Sequence, residues 1–215
     1  MAEFRLHCFA QSGNAYKAAL MLALSAADWE PVFIDFFNGE TRKTEWRASV
    51  NEMGEAPVLE HRGKRLTQSG VILTYLARRL GKFGPENEDE DLEILRWILF
   101  DNHKFTSYLA TYRFQYALMP QTPNPDVLKF LRGRIDSAMA IVESRLGSQP
   151  FVALSRPTVA DFSCAGYAFY PPEELGYDFK TSHPNIHAWT QRIKAMAGWK
   201  DPYELMPGER FMAQR

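Results

Sequence analysis

Glu55-Ala56-Pro57-Val58-Leu59-Glu60-His61-Arg62-Gly63-Lys64-Arg65-Leu66-Thr67-Gln68-Ser69-Gly70 is the stretch whose reading decides the fold. An X-Pro bond at Pro57, at the entrance to the apolar run Val58-Leu59, can be cis and would then present the Ala56 backbone amide and carbonyl outward, where an extended peptide could pair as an extra strand. Val58 to Glu60 reads as a strand, Arg62-Gly63 as a tight turn, and Arg65-Leu66 as a short returning strand. A helix begins at Ser69, because Val71, Ile72, Tyr75, Leu76 and Leu80 carry a helical apolar period up to Gly81. The Ser69 hydroxyl and the neighbouring backbone amides would face a carboxylate. Taken alone, Gln68-Ser69 also fits an ordinary helix cap.

Working outward, a strand around Phe4 to Phe9, a helix from Gly13 to Ala26 and a strand from Pro31 to Phe36 form a βαβ opening. The polar stretch Asn38 to Arg47 holds an irregular helix, so the N-terminal order is βαβαββα and the pattern predicts an α/β domain. Gly81 to Glu90 breaks it with two glycines, a proline and an acidic cluster, as expected of a linker running into a helix start. Beyond it the pattern is helical: Asp91 to Leu118; Asp126 to Leu146, with Leu128, Leu131, Ile135, Ala138, Val142 and Leu146 at three- and four-residue intervals; and Ile186 to Ala197, with Ile186, Trp189, Ile193 and Met196 on one side. Thr158 and Asp161 form the carboxylate variant of a capping box, with Pro157 and Phe162 as its staple, opening an apolar helix to Phe169. This box serves folding rather than chemistry.

The chain has 215 residues, a formal charge of −1 and 46% hydrophobic residues, which suits one large or two small globular domains. No run of one sign favours nucleic acid or an anionic membrane surface. The two cysteines, Cys8 and Cys164, are too few for a disulfide framework and fit a reducing cytosol. The start lacks the apolar stretch of a signal peptide and no later segment resembles a membrane span, so the expected location is cytoplasmic. No His or Cys spacing suggests a metal ligand set.

With Ser12 and the helical half added, the chain resembles the cytosolic glutathione S-transferases over essentially its whole length. Ser12-Gly13-Asn14-Ala15-Tyr16-Lys17 resembles the Ser-containing bacterial and phi-type members, and also the nu-type pattern in which Thr-x-Asn occupies the same turn. The resemblance implies a thioredoxin-like N-terminal domain over 1–81 that binds glutathione. It implies a linker over 82–90, an all-α domain over 91–215 carrying the electrophile site, and a homodimeric assembly. It further implies that Pro57 is cis and that the thiol of glutathione, the cosubstrate, lies near Ser12. Ser12 would donate to the sulfur and Asn14 would add a second polar contact; capping of the first helix is the competing role for both.

By the same resemblance Arg42 and Lys43 would take the glycyl carboxylate, and Glu55, Ala56, Pro57, Gln68 and Ser69 would hold the rest of the peptide. Glu55 stands where many members carry Gln, which brings a carboxylate toward a carboxylate-bearing ligand. Gln68 stands where several classes carry an acid, and its amide can meet both polar ends of a γ-glutamyl group. His103, Tyr108 and Tyr112, on the long helix, are the candidates for the electrophile site, although a Tyr-rich stripe also suits a core or an interface. Tyr16 lies inside the first helix and Cys8 inside the first strand, so neither has the register of the Tyr- or Cys-dependent classes. The expected activity is attack of an activated glutathione thiolate on an apolar electrophile, relevant to detoxification. The rival readings are glutathione-dependent disulfide or peroxide reduction, and a transferase-fold scaffold without turnover.

Overall fold

The structure, a computed structural model, describes residues 2–212. Its sheet has the order β2-β1-β3-β4, built from β1 (Phe4–Cys8), β2 (Trp29–Phe33), β3 (Val58–His61) and β4 (Lys64–Thr67). β1 pairs parallel to β2, antiparallel to β3, and β3 pairs antiparallel to β4. Along β1 the side chains alternate: Phe4, Leu6 and Cys8 are fully buried, while Arg5 and His7 on the other face are half-buried. Helices α1 (Gly13–Leu24) and α3 (Ser69–Leu80) pack against each other. A second apolar cluster gathers Phe9, Ile34, Val58 and Trp46, the last from α2 (Thr44–Ser49).

β2 lies two to three residues earlier than the expected Pro31 to Phe36, because Trp29 pairs with Phe4 and Phe33 with Cys8. Pro31 falls mid-strand, and it is tolerated there because β2 is an edge strand whose missing N–H interrupts no ladder on its outer side.

The chain divides into two compact units, one formed by residues up to Gly84 together with Met196–Arg210, the other centred on Pro85–Ala195. This division differs from the expected boundaries at both ends. α4 (Glu88–Phe100) starts inside the expected 82–90 linker, since Asn87 caps it through the Glu90 N–H at 2.9 Å. Met196–Arg210 leaves the expected 91–215 helical span and joins the sheet unit, where the Ala10 N–H donates to the Pro207 carbonyl at 2.7 Å.

The helical unit continues through α5 (Thr106–Arg113), α6 (Pro125–Ser148), α7 (Val159–Cys164), the one-turn helices α8 (Pro172–Leu175) and α9 (Phe179–Ser182), and α10 (Pro184–Lys194). The expected single helix from Asp91 to Leu118 carries two π turns, Asp101–Phe105 and Phe114–Leu118, on either side of α5. At the first, the fully buried Asp101 carboxylate accepts from the Thr106 hydroxyl at 2.5 Å and the Ser163 hydroxyl at 2.6 Å. That tertiary bond holds the wider turn. The expected apolar stripe of α6 is buried from Leu131 to Leu146. The Asp161 carboxylate, also fully buried, accepts from the Thr158 N–H, the Val152 N–H and the Trp189 indole N–H at 2.9, 2.9 and 3.0 Å. It therefore joins α7, α10 and the loop before α7, and does more than cap one helix.

Candidate functional site

Antiparallel pairing of β1 with β3 puts the C-terminal end of β1 beside the N-terminal end of β3, with His7 opposite Val58. Pairing of β3 with β4 sets Thr67 opposite Val58. One end of the strands therefore collects three features: the turn leading to Ser12, the residues before Val58, and the start of α3.

The Ala56–Pro57 peptide bond is cis. The loop before it is fixed by buried Asn51, whose amide nitrogen donates to the Glu55 carbonyl at 2.8 Å while its oxygen accepts the Met53 N–H at 3.1 Å. Ala56 is half-buried and Pro57 buried.

Ser12 is the N-cap of α1, in extended backbone, with its hydroxyl oxygen accepting the Ala15 N–H at 3.1 Å. It is 7% exposed. A hydroxyl has one proton and two lone pairs, so capping uses the oxygen and leaves the proton to donate. That proton has no acceptor among the described residues. Capping and thiol activation, alternatives on paper, are compatible in the same atom. Asn14 is half-buried in the first turn of α1, and its side chain has no partner among the described residues.

α3 begins one residue earlier than a Ser69 cap would require: Gln68 holds the N-cap position without a side-chain cap bond, and Ser69 is the first helical residue. Gln68 has φ +65°, a left-handed value that costs a non-glycine residue about 1 kcal/mol or more. The exposed Gln68 amide nitrogen donates to the Glu55 carboxylate at 2.9 Å. Ser69 is 6% exposed, and its hydroxyl has no partner among the described residues.

Arg42 closes a 3₁₀ turn and Lys43 is the N-cap of α2; both are exposed. Burial pushes the Cys8 thiol up to about 12, which makes it a packed apolar side chain with no thiolate at neutral pH. Tyr16 is fully buried, its hydroxyl donating to the Lys200 carbonyl at 2.8 Å, and burial holds its phenol above the ordinary range.

In the helical unit, His103 is exposed on the first π turn and Tyr108 is half-buried on α5. Tyr112 is 7% exposed, with its ring stacked on Tyr116 at 5.3 Å and edge-on to Tyr177 at 6.4 Å. Sequence reading missed Asn51 and Gln11, and it missed the aromatic group Phe9, Phe36 and Phe37 just upstream of Ser12 and after β2, in which Phe9 stacks on Phe36 at 4.7 Å. The three phenylalanines were visible as a composition signal; Asn51 and Gln11 carry none. Among the described residues no cluster of His, Cys, Asp or Glu could hold a metal ion, and no helix is long and apolar enough to cross a membrane.

Comparison with known proteins gives a consistent result. The sequence matches the family models described as glutathione S-transferase, N-terminal domain, over residues 3–78 and glutathione S-transferase, C-terminal domain, over residues 125–192. The crystal structure of a glutathione S-transferase from Pseudomonas fluorescens is 28% identical, with a TM-score of 0.85 over 94% of this chain and 100% of that one. A possible glutathione S-transferase from Rhodopseudomonas palustris is also 28% identical, with a TM-score of 0.84 over 93% and 90% of the two chains. Among curated proteins, a glutathione S-transferase of Arabidopsis thaliana is 24% identical over 92% of this chain and 82% of its own length.

Proposed function

The chain belongs to the glutathione S-transferase family, and on that premise we propose that it binds glutathione at this end of the strands and activates the thiol for attack on an apolar electrophile. One observation carries the reading: the Ser12 cap, the cis Ala56–Pro57 bond and the Gln68-Ser69 start of α3 meet at the same end of β1, β3 and β4.

The chemistry follows from what each group can do. The peptide pairs in extended form with the Ala56 backbone. Ser69 and the N-terminus of α3 donate to the γ-glutamyl carboxylate, because their donors are unspent and the helix end is positive. Glu55, held by Gln68, then meets the α-ammonium, so its charge serves a zwitterionic ligand end rather than opposing it. Arg42 and Lys43 take the glycyl carboxylate as exposed cations. Free cysteine-type thiols have a pKa of about 8.5 and only the thiolate is a strong nucleophile. A hydrogen bond from Ser12 to the charged sulfur contributes about 1.5–3 kcal/mol, which lowers the thiol pKa by about one to two units. Asn14 adds a second polar contact. His103, Tyr108 and Tyr112 are the helical unit's candidates for the acceptor site.

The protein acts as a cytoplasmic homodimer in this reading. Leu92, Leu95 and Leu99 support self-association, since they lie along one side of α4 and are 60, 45 and 60% exposed. The test is an ultraviolet thiolate difference spectrum with glutathione, titrated from pH 5 to 9. A bound thiol titrating about a unit or more below free glutathione is expected. Absence of a thiolate band at millimolar glutathione would overturn the reading and leave a scaffold without turnover.

A further inference from the structure

The segment that returns to the sheet unit runs back along α1 from its end to its start. Gly198, at φ +90°, passes so close to the end of α1 that a Cβ there would lie 2.7 Å from the Ala23 carbonyl oxygen. Two residues on, the Lys200 carbonyl accepts the Tyr16 hydroxyl at 2.8 Å, one turn into α1. Asp201 then caps the short helix α11 (Pro202–Leu205) by accepting the Tyr203 and Glu204 N–H groups at 2.8 and 3.1 Å. Beyond α11 the chain reaches the turn before α1, where Pro207 accepts the Ala10 N–H at 2.7 Å and Glu209 offers its carbonyl to the Gln11 side-chain amide. Gly208 joins these two acceptors at φ +119°, with room for a Cβ only at 3.4 Å from the Ala10 nitrogen.

We propose that Met206–Glu209 is a clamp on the turn that aims Ser12, and that Gln11 is the positioning residue through which the clamp acts. The inference rests on the thiol-activating role of Ser12. Ala10 and Gln11 are the two residues immediately before Ser12, and each is bonded to the returning segment, so the hydroxyl direction is set from outside the β1–α1 connection. Gln11 is 6% exposed, so its amide bond to Glu209 competes little with water. A hydrogen bond to a thiolate depends steeply on direction and distance, and a small displacement of the donor weakens it while leaving the peptide's other contacts in place.

Two full-length variants test this. Gln11→Met keeps the side-chain length and removes the donor; Gly208→Ala puts a Cβ where φ disfavours it and shifts both carbonyls. In each, the bound thiol is expected to titrate about half a unit closer to free glutathione and kcat to fall about 3- to 10-fold, the range for one lost hydrogen bond, with KM for glutathione within about twofold. A merely structural clamp would lower Tm and leave the bound-thiol pKa and kcat unchanged, and that result overturns the proposal. If Gln11→Met does not fold, Gly208→Ala decides alone. Ser12→Ala is the control for the premise: a thiolate band unchanged in Ser12→Ala removes the Ser12 role itself. A band lost in Ser12→Ala but unmoved in the two clamp variants removes only the clamp.

Discussion

Two helix starts, at Ser12 and at Thr158, use the same device and are put to opposite ends. Ser12 caps α1 by accepting the Ala15 N–H and keeps its proton unspent, beyond the end of β1. Thr158 is fully buried and its hydroxyl donates to the Asp161 carboxylate at 3.2 Å, so every polar group at that start is closed on another. What separates a cap that folds the protein from one that can meet a ligand is the reciprocal acceptor: Thr158 has one three residues on, and Ser12 has Ala15 in the equivalent place.

The strongest way to break this comparison is at the closed end. Asp161→Ala leaves the Val152, Thr158 and Trp189 donors buried without an acceptor, and a loss of about 3–5 kcal/mol is expected in chemical denaturation, well above the cost of a surface cap. A loss near 1 kcal/mol would mean that Asp161 is a simple cap after all. At the open end, Ser12→Ala should lower kcat about 10- to 150-fold and stability by only about 1 kcal/mol. Equal turnover in the variant would remove Ser12 from the chemistry.

Thr158→Ala is the matched control: about 1–2 kcal/mol of stability lost and turnover unchanged per folded molecule. pH sharpens the contrast further. Burial pushes the Asp161 carboxyl from 3.8 up to about 6, so the folded state holds this proton more tightly than the unfolded one. Its contribution is fully present below about pH 4 and is lost as pH rises through about 6. Denaturation midpoints measured across that window should lose this component in Asp161→Asn. The smallest effect is expected for Glu55→Gln: an exposed charge, its loss should raise KM for glutathione about 2- to 10-fold at unchanged kcat. A lower KM would show that the carboxylate opposes the ligand instead.

Much of this was legible because it is local. The βαβαββα order, the Ser12 turn and the Thr158–Asp161 spacing each depend on residues within a few positions of one another. β2 was displaced because its apolar run, Val32 to Ile34, has no alternation to fix its ends, and only pairing with β1 selects Trp29–Phe33. The first π turn comes from Asp101 reaching Ser163, a partner 62 residues away that no window contains. The stacking of Tyr112 on Tyr116 was not legible, because a tyrosine that packs on a neighbour and one that lines a cleft have the same helical spacing. The left-handed backbone at Gln68 was invisible, since that conformation ordinarily announces itself with Gly or Asn.

The return of Met196–Arg210 to the sheet unit also has a consequence for biosynthesis. More than a hundred residues, Pro85–Ala195, are translated between the sheet and the segment that closes over its first turn. The sheet and α1 emerge from the ribosome early, but the carbonyls of Pro207 and Glu209 that hold Ala10 and Gln11 arrive only after the whole helical unit has been made. A nascent chain therefore acquires its finished Ser12 turn at the end of synthesis, and a product stalled within the helical unit carries the residues of the site without their last restraint.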